Sequence, residues 1–362
     1  MRRLMPDQEN VPKEGDVDAA IQDAREKLGS DLVILGHHYQ QDRVLKFADH
    51  RGDSLQLSKM ASRQSDARYV VFLGVHFMAE TADILTEKDQ SVILPHLEAG
   101  CPMADMATAE EVRQCWDYLT DHLDGDIVPL TYVNSSADIK AFCGARGGAC
   151  CTSSSAKEVM AWALEQGQHV LFLPDQHLGR NTGHTLGVQP EEMAMWRRGE
   201  GAPVSELDNP RLVLWDGYCP VHAEFSPDMT GSVRRRHPGV RIVVHPECSR
   251  EVVQGADEEG STDFIINQVS GSCPGSCWAV GTEEKLVERL ALEHPDRTVV
   301  SLKHGGSICA DMDLITPRNL LWVLEELQQG RIPNRIEVPS ATARDASLAL
   351  DRMFSLFKGR SQ

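Results

Sequence analysis

The sequence has no apolar run near the ~18 residues that a membrane-spanning helix needs, and no apolar segment follows its two N-terminal arginines. It is also poor in basic residues, with 36 Lys and Arg against 54 Asp and Glu and a net charge of −18. Nucleic-acid binding needs clustered Lys and Arg, whereas the one basic run, Arg234-Arg235-Arg236, is typical of a solvated surface. We therefore expect a soluble, cytoplasmic protein with neither a nucleic-acid nor a membrane partner.

The sequence also lacks G-x-x-x-x-G-K-[ST] and G-x-G-x-x-G segments, so a nucleotide cofactor is not indicated. Cysteine, by contrast, is plentiful, with ten residues. A disulfide framework explains them poorly, because the chain is long and carries no secretion signal. We interpret them as buried thiols, as ligands of a metal or cluster, or as catalytic thiols. For the C-x3-C pair Cys273 and Cys277, ordinary thiols, a redox pair and a metal half-site all stay open.

Short Val, Ile and Leu runs alternate with helix-like segments, a pattern that predicts parallel strands covered on both faces. The runs are Leu32–Leu35, Val70–Leu73, Val92–Leu94, Ile127–Leu130, Val170–Leu173, Leu212–Trp215, Ile242–Val244, Phe264–Ile266 and Val299–Leu302. They form three groups of three. We predict an α/β protein of three similar domains, at about 18–108, 109–225 and 226–330, with a C-terminal segment, 331–362, that packs back on them.

Each group repeats the same chemistry in the same order. Its first strand ends in a polar loop, a hydroxyl residue follows, and one cysteine comes after the third strand. The loops supply His37, Tyr39, Tyr132, Asn134, His245 and Glu247; the hydroxyl residues are Ser54, Ser153 and Thr262; the cysteines are Cys101, Cys219 and Cys309. Ligands of parallel sheets bind beyond the carboxyl ends of the strands, so three units around one axis would bring these residues to one central site.

Three equivalent cysteines are an unusual ligand set, because structural zinc sites and electron-transfer [4Fe–4S] clusters normally have four. Three thiolates on a cubane would leave one iron free to act as a Lewis acid in a dehydration. On spacing alone, unrelated buried cysteines remain an alternative. The hydroxyl residues are typical of helix caps, and helix N-termini bind anions, so a substrate with carboxylates or a phosphate is expected if they do more than cap.

Many segments of the chain together resemble the quinolinate synthase family. They include LGHHYQ, GDSLQLS, GVHFMAETADIL, AGCPMAD, TYVNSSADIKA, WDGYCPVHAEF, HPECSREV and GSTDFI, in the family's order from about residue 33 onward. The resemblance implies three αβα domains with short parallel sheets around a pseudo-threefold axis. It also implies condensation of iminosuccinate with dihydroxyacetone phosphate to quinolinate, with loss of phosphate and water, in NAD biosynthesis. A transient contact with L-aspartate oxidase, the source of iminosuccinate, is a further expectation.

The resemblance also implies roles for particular residues. One [4Fe–4S] cluster with an open iron would be held by Cys101, Cys219 and Cys309. The substrate contacts would be His37, Ser54, Tyr132, Val133, Asn134, Ser153, His245, Pro246, Glu247 and Thr262. The residues carried over as catalytic are Tyr39, Glu247, His245 and His37.

The sequence departs from the family pattern in three places. Position 38 is a histidine, which adds a titratable group beside the site. The loop between Lys140 and Thr152 looks longer than usual, which leaves the choice between Ser153 and Ser154 as substrate contact open. Lys303 and Gly306 stand where some relatives have further cysteines, so Cys309 is the one ligand candidate in its segment.

Two other functions compete with this interpretation. A mononuclear metal hydrolase would use histidine and carboxylate ligands such as His222 and Glu224, and would be colourless and stable in air. A non-enzymatic iron–sulfur sensor or electron carrier would use the cysteines, although an open iron suits electron transfer poorly.

Replacing Cys219 with Ala should abolish both the iron–sulfur chromophore and the activity, because two remaining thiolates do not hold a cubane. The visible spectrum and the iron and sulfide content of anaerobically purified protein measure this. Cys115→Ala is the matched control, since Cys115 lies in a helical pattern and should leave the cluster in place. A fully active, cluster-loaded Cys219→Ala variant would contradict the ligand assignment.

Overall fold

The computed structural model describes residues 14–61, 63, 67–199 and 209–357. It contains three sheets, whose strands are parallel except for one antiparallel pair. Helices lie between most consecutive strands and cover the sheets, which confirms the predicted α/β class with three parallel-sheet units. No helix in these described ranges is both long and apolar enough to cross a membrane.

The first unit carries a sheet with the order β2-β1-β3-β4. Its elements are α1 (Glu14–Leu28), β1 (Leu32–His37), α2 (Asp42–Leu45), β2 (His50–Gly52), α3 (Ser54–Ala61), β3 (Tyr69–Leu73), α4 (His76–Leu85), β4 (Ser91–Ile93) and α5 (Pro102–Asp105). Every residue of the central strand β3 is buried, as its continuous apolar sequence requires for a strand covered on both faces.

The second unit has the order β6-β5-β7-β9-β8. Its elements are α6 (Ala109–His122), β5 (Ile127–Tyr132), α7 (Ala137–Ala145), β6 (Ala149–Cys151), α8 (Ala156–Gln166), β7 (His169–Leu173), α9 (Gln176–Thr185), β8 (Met193–Trp196), β9 (Leu212–Trp215) and α10 (Pro220–Ala223). Apart from the extra edge strand β8, the strand order repeats that of the first unit.

The third unit has the order β11-β10-β12-β13, again the same pattern. Its elements are α11 (Pro227–Arg236), β10 (Arg241–Val244), α12 (Arg250–Gly255), β11 (Glu258–Glu259), α13 (Thr262–Ser270), β12 (Cys277–Gly281), α14 (Glu284–Glu293), β13 (Thr298–Ser301) and α15 (Ala310–Asp313). Its sheet has its own hydrophobic clusters, whereas the first two units share one continuous core.

Three elements follow the third unit and return to the first two: α16 (Pro317–Gln328), β14 (Arg335–Ile336) and α17 (Ser340–Phe357). Helix α16 packs against α1, and β14 pairs antiparallel with β4 at the edge of the first sheet. Helix α17 lies against α7 and also contacts α4. The C-terminal elements therefore bind the first unit to the second. The predicted domain boundaries themselves stay predictions.

One of the nine predicted strands is wrong. Phe264–Ile266 lies inside helix α13, and the strand at this place in the sheet is β12. Ser261 caps the helix by accepting a hydrogen bond from the Phe264 N–H at 3.3 Å. A run of three apolar residues does not distinguish a strand from a buried helix turn, and here the cap decides. Residues Asn267–Ser270, which follow this run, form the end of the same helix.

The sequence pattern also missed a short edge strand in each unit, namely β2, β6 and β11, and a second edge strand, β8, in the second unit. In the second unit β6 forms part of the segment between Lys140 and Thr152 that was expected to be a long loop. Helix α7 extends to Ala145, and Cys143, Cys150 and Cys151 are all buried. The turn at residues 146–148 connects α7 to β6, so the segment is ordered, and its greater length relative to the family stays a prediction.

The backbone repeats itself closely near each cysteine of the repeat. After the central strand of each unit, the first residue of the next helix donates its N–H to the carbonyl two residues before the cysteine. These bonds are His76 to Ala99 (2.8 Å), Gln176 to Gly217 (2.9 Å) and Glu284 to Ser307 (2.8 Å). The matched positions of the cysteines are therefore a property of the fold and not a coincidence of spacing.

Replacing Gly144 with Ala should destabilise the protein by about 1–3 kcal/mol, the usual cost of overpacking. A Cβ at Gly144 would overlap the carbonyl oxygen of Asp345 in α17, so this helix would have to move away from α7. The midpoint of denaturant unfolding measures the change. Gly15→Ala in α1 is the control, because its Cβ meets nothing within 4 Å. Equal stability of the two variants would contradict tight docking of α17.

Candidate active site

The carboxyl ends of the three sheets open onto one cavity of about 260 Å³. Residues from all three units line it. Of the residues predicted for the site, the cavity is lined by His37, Tyr39, Ser54, Cys101, Tyr132, Asn134, Ser153, Cys219, His245, Glu247, Thr262 and Cys309. Val133 and Pro246 are buried behind the wall and do not line the cavity.

Each of the three cysteines stands where a one-turn helix begins, Cys101 before α5, Cys219 before α10 and Cys309 before α15. Burial raises the pKa of all three thiols, that of Cys309 to about 11, whereas hydrogen bonds from backbone N–H groups of the one-turn helices lower it. The N–H groups face the sulfur because the cysteine holds the cap position. The same backbone thus presents a thiol with amide donors three times.

The three sulfur atoms do not converge on a single ion. Among the described residues, Cys219, His222 and Glu247 are the one set whose ligand atoms all lie within 4.8 Å of one another. Thiolates around one ion with Zn–S bonds of ~2.3 Å would stand ~3.8 Å apart. The three thiols line one cavity but stand further apart than the ligands of a single ion. This spacing fits a multi-iron cluster, and the amide donors suit it as well, because the sulfurs of such clusters accept hydrogen bonds.

Glu247 is a buried carboxylate held between two imidazoles. Its Oε2 lies 2.6 Å from His222 Nδ1 and 3.3 Å from His245 Nδ1, and the two rings stack with centroids 4.6 Å apart. Burial alone would raise the pKa of the Glu247 carboxyl, but the two imidazoles outweigh it and hold the pKa below its usual value. The carboxyl is therefore an anion inside the protein.

A chain of hydrogen bonds leads from this carboxylate to Tyr39. His222 Nε2 lies 3.1 Å from Thr282 Oγ1, and Thr282 Oγ1 lies 2.7 Å from Tyr39 Oη. Tyr39 Oη also accepts a hydrogen bond of 3.1 Å from Thr262 Oγ1. Tyr39 belongs to the first unit, His222 to the second, and both threonines to the third. All three units are needed to assemble it.

The chain has a direction. A carboxylate oxygen only accepts, so the His222 proton belongs on Nδ1 beside Glu247, and Nε2 accepts from Thr282. Burial lowers the pKa of His222 against the attraction of Glu247, which keeps the imidazole neutral. Burial likewise raises the pKa of Tyr39 far above its usual value. The donors therefore point from Thr262 through Tyr39 and Thr282 to His222, a path by which the phenol can lose and regain a proton.

The hydroxyl residues of the repeat are not the helix caps that the sequence predicted. Asp53 accepts from the Gln56 N–H and caps α3, and Ser261 caps α13, so Ser54 and Thr262 are the first residues of these helices. Because a neighbour takes the capping role, the hydroxyl can face the cavity.

Ser153 and Ser154 likewise have different contacts, although they are adjacent in the chain. Ser153 lines the cavity and hydrogen-bonds Tyr132, whereas Ser154 donates to Asp53 at 3.0 Å. The register that the sequence left open thus places Ser153 at the cavity and Ser154 in a contact between the first two units.

Two polar contacts at the rim account for residues that depart from the family pattern. His38 Nε2 lies 3.7 Å from Asp263, so this histidine joins the first unit to the third. Lys303 pairs with Glu224 at 2.6 Å, and Ser307 donates to the same carboxylate at 2.6 Å. Glu224 is therefore occupied by Lys303 and does not join His222 in a metal site, as the hydrolase alternative would need.

Arg289 holds the loop that carries Tyr39, a role that the sequence pattern did not predict. This guanidinium is 5% exposed and donates to the His38 and Gln40 carbonyls, each at 2.7 Å, and to the Asp42 carboxylate. Arg289 lies on α14 of the third unit, so it grips the backbone on both sides of Tyr39 from a different unit. Its planar fork suits this convergent binding.

The three-unit α/β fold, with thiols and a buried acid–base chain around one cavity, defines an enzyme. The chain belongs to the quinolinate synthetase A family, whose model matches residues 19–355. It is 50% identical over 360 residues to a quinolinate synthase of Geobacillus kaustophilus, covering 98% of both chains. It is 47% identical over 356 residues to that of Bacillus subtilis, covering 98% and 96%. Against that of Streptomyces coelicolor it is 50% identical over 352 residues, covering 95% and 89%. These likenesses confirm the family predicted from the motifs.

Replacing Thr282 with Val removes the hydroxyl between Tyr39 and His222. In an assay of the activity after which the relatives are named, kcat should fall by about 100-fold or more, as is typical when general acid–base catalysis is lost. KM should change less, because Thr282 does not line the cavity.

Thr282→Ser is the control, since it keeps the hydroxyl and should keep most of kcat. Equal losses of kcat in the Val and Ser variants would show that the hydroxyl of residue 282 is not required.

The pH dependence of kcat gives a further prediction for the unsubstituted protein. Because the pKa of His222 is lowered, its imidazole stays neutral at the ordinary histidine value of ~6.5. We therefore expect kcat to stay constant until the pH falls below ~6.5.

Proposed function

We propose that the chain is a quinolinate synthase, a transferase of NAD biosynthesis. It condenses iminosuccinate with dihydroxyacetone phosphate to quinolinate and releases phosphate and water. The observation that carries the proposal is the placement of the Tyr39–Thr282–His222–Glu247 chain, three hydroxyl residues and three thiols around one cavity. A reaction that moves several protons and eliminates water needs such a combination.

The cavity offers donors for anionic substrates. Iminosuccinate carries two carboxylates, and dihydroxyacetone phosphate carries a phosphate. In a cavity away from bulk water, each of these anionic groups needs hydrogen-bond donors from the protein. Ser54 and Thr262 face the cavity from the first residues of α3 and α13, where helix N–H groups and dipoles favour anions. Tyr132, Asn134 and Ser153 add donors from the second unit. We propose these five residues as the contacts of the anionic groups, with His37, His245 and Glu247 as further substrate contacts in the same cavity.

Proton transfer is assigned to Tyr39 and the chain behind it. As the phenol gives up its proton, Thr282 passes one to His222, and Glu247 stabilises the imidazolium that forms. His37 stands beside Tyr39 with ring centroids 4.8 Å apart. Burial lowers the pKa of His37 to about 3, so it is a neutral donor or acceptor and positions substrate rather than attracting it by charge. His245 contacts Glu247 as well, with Nδ1 3.3 Å from Oε2, and is proposed to hold this carboxylate in place.

A [4Fe–4S] cluster held by Cys101, Cys219 and Cys309 is part of the proposal. When bound, it would supply an iron without a protein ligand, which is a Lewis acid toward oxygen. The residues around it do the rest: the amides of α5, α10 and α15 stabilise the thiolates, and the cavity wall excludes water.

The proposed setting is the cytoplasm, where thiols stay reduced, as suits the free cysteines of this chain. The transient contact with L-aspartate oxidase remains a proposal that rests on substrate chemistry alone. Of the other functions, an electron carrier needs neither the buried acid–base chain nor the hydroxyl residues, and the hydrolase alternative loses Glu224 to Lys303.

Anaerobic reconstitution with iron and sulfide, followed by addition of both substrates, tests the function. We expect quinolinate to form only when both substrates and the cluster are present, measured by chromatography of the product. Tyr39→Phe should keep the chromophore and lose turnover, because it keeps the ring and lacks the proton. A folded, cluster-loaded protein that forms no quinolinate would refute the proposal, as would a colourless zinc protein that hydrolyses a substrate.

A further inference from the structure

We propose that the chain, when it lacks its cluster, binds one thiophilic divalent cation such as Zn²⁺ at Cys219, His222 and Glu247. Their ligand atoms all lie within 4.8 Å of one another, and the set is alone in this among the residues described. Cys219 stands before α10 and His222 lies within it, so the backbone itself sets the spacing of thiol and imidazole. This inference concerns the cluster-free state and depends on the proposed function only through Cys219.

One buried atom in this set lacks the partner that burial demands. Glu247 Oε1 has no hydrogen bond among the described residues, in a side chain that is 4% exposed. The other oxygen of the carboxylate, Oε2, lies 2.6 Å from His222 Nδ1, so an imidazole nitrogen stands beside this group. Buried polar atoms are almost always hydrogen-bonded, and an unpartnered carboxylate oxygen beside an imidazole and a thiol indicates a missing ligand. A cation held by the carboxylate and the imidazole would satisfy Oε1.

The donor set selects the kind of cation. A thiolate, an imidazole and a carboxylate are the three ligand types that zinc takes in proteins, with bonds of ~2.0–2.3 Å. Binding releases the Cys219 thiol proton to solvent and moves the His222 proton from Nδ1 to Nε2, from which it donates to Thr282, so the other charges stay as they are. The fourth position would face the cavity, because Cys219, His222 and Glu247 all line it. Hard cations such as Mg²⁺ prefer oxygen ligands and should not compete.

The three cysteines are the rival set for such an ion, and the geometry is against them. Their sulfur atoms do not all lie within 4.8 Å, whereas the mixed set does. Collecting Cys101 and Cys309 around one ion would require the starts of α5 and α15 to move together, against the backbone bonds that fix Ala99 and Ser307. The mixed set needs only a small separation of the His222 and Glu247 side chains.

Cation and cluster would exclude each other, because both use Cys219. A bound Zn²⁺ would therefore block cluster loading and also replace the contact between His222 and Glu247. The cavity would hold either the cofactor of the reaction or an ion that prevents it.

Co²⁺ is the probe, since tetrahedral cobalt–thiolate sites absorb visible light strongly. Full-length, cluster-free protein kept reduced and anaerobic is titrated with Co²⁺, and Zn²⁺ is then added to displace it. We expect one Co²⁺ per chain. Affinity should fall by more than about 100-fold in His222→Asn and Glu247→Gln, beyond the ~10–100-fold that loss of an outer partner costs. Cys101→Ala and Cys309→Ala should bind as tightly as the unsubstituted chain.

X-ray absorption of the zinc-loaded, unsubstituted chain identifies the atoms that bind the zinc, without any variant. One sulfur and several light ligands per zinc supports the proposal; three sulfurs overturns it, as does loss of binding in Cys101→Ala or Cys309→Ala. Absence of stoichiometric binding overturns it too. In a separate arm, zinc-loaded protein should gain the iron–sulfur chromophore at least about tenfold more slowly than metal-free protein. Failure of both samples to gain it would count against the cluster and not against the zinc site.

Discussion

Parallel pairing gives all strands of one unit the same direction, and the site depends on this constraint. Tyr39, Tyr132 and Glu247 each lie at or just beyond the carboxyl end of the first strand of a unit, β1, β5 and β10. The cysteines follow the last strand of the same three sheets. Because the carboxyl ends of the strands face one cavity, the loops that follow the strands lie directly at it, and their side chains can enter the cavity. Among the described strands, the one antiparallel pairing lies at the outer edge of the first sheet, and its strand β14 does not line the cavity.

Much of this arrangement was visible in the sequence, because a strand end followed by a polar loop is a local pattern. The three cysteines and most of the predicted site residues therefore line the cavity as expected. What the sequence did not reveal is contact between units. Thr282 carried no signal in the sequence, because the strand that precedes it, β12, had been placed in the wrong segment. Arg289 resembled a surface arginine on an amphipathic helix until the loop of another unit was packed against it.

The repeat is closer in backbone than in side chains. The residue before each helix that follows a central strand is Val75, Asp175 or Glu283, three different chemistries in one place. Glu283 accepts the Cys309 N–H at 3.4 Å and Asp175 accepts that of Cys219, whereas Val75 offers Cys101 nothing comparable. The threefold scaffold thus supplies equal positions, and divergence has given each wall its own chemistry, with donors on one wall and an acid–base pair on another.

Strand β14 and helix α17 add an order of events to this architecture. The edge of β4 and the surface between α4 and α7 are made early, but the elements that cover them leave the ribosome only after the third unit. During synthesis the first two units therefore expose an unpaired strand edge and an uncovered helix face, the kinds of surface through which incomplete chains aggregate. The last elements of the chain thus close both the open edge of the first sheet and the seam between the first two units.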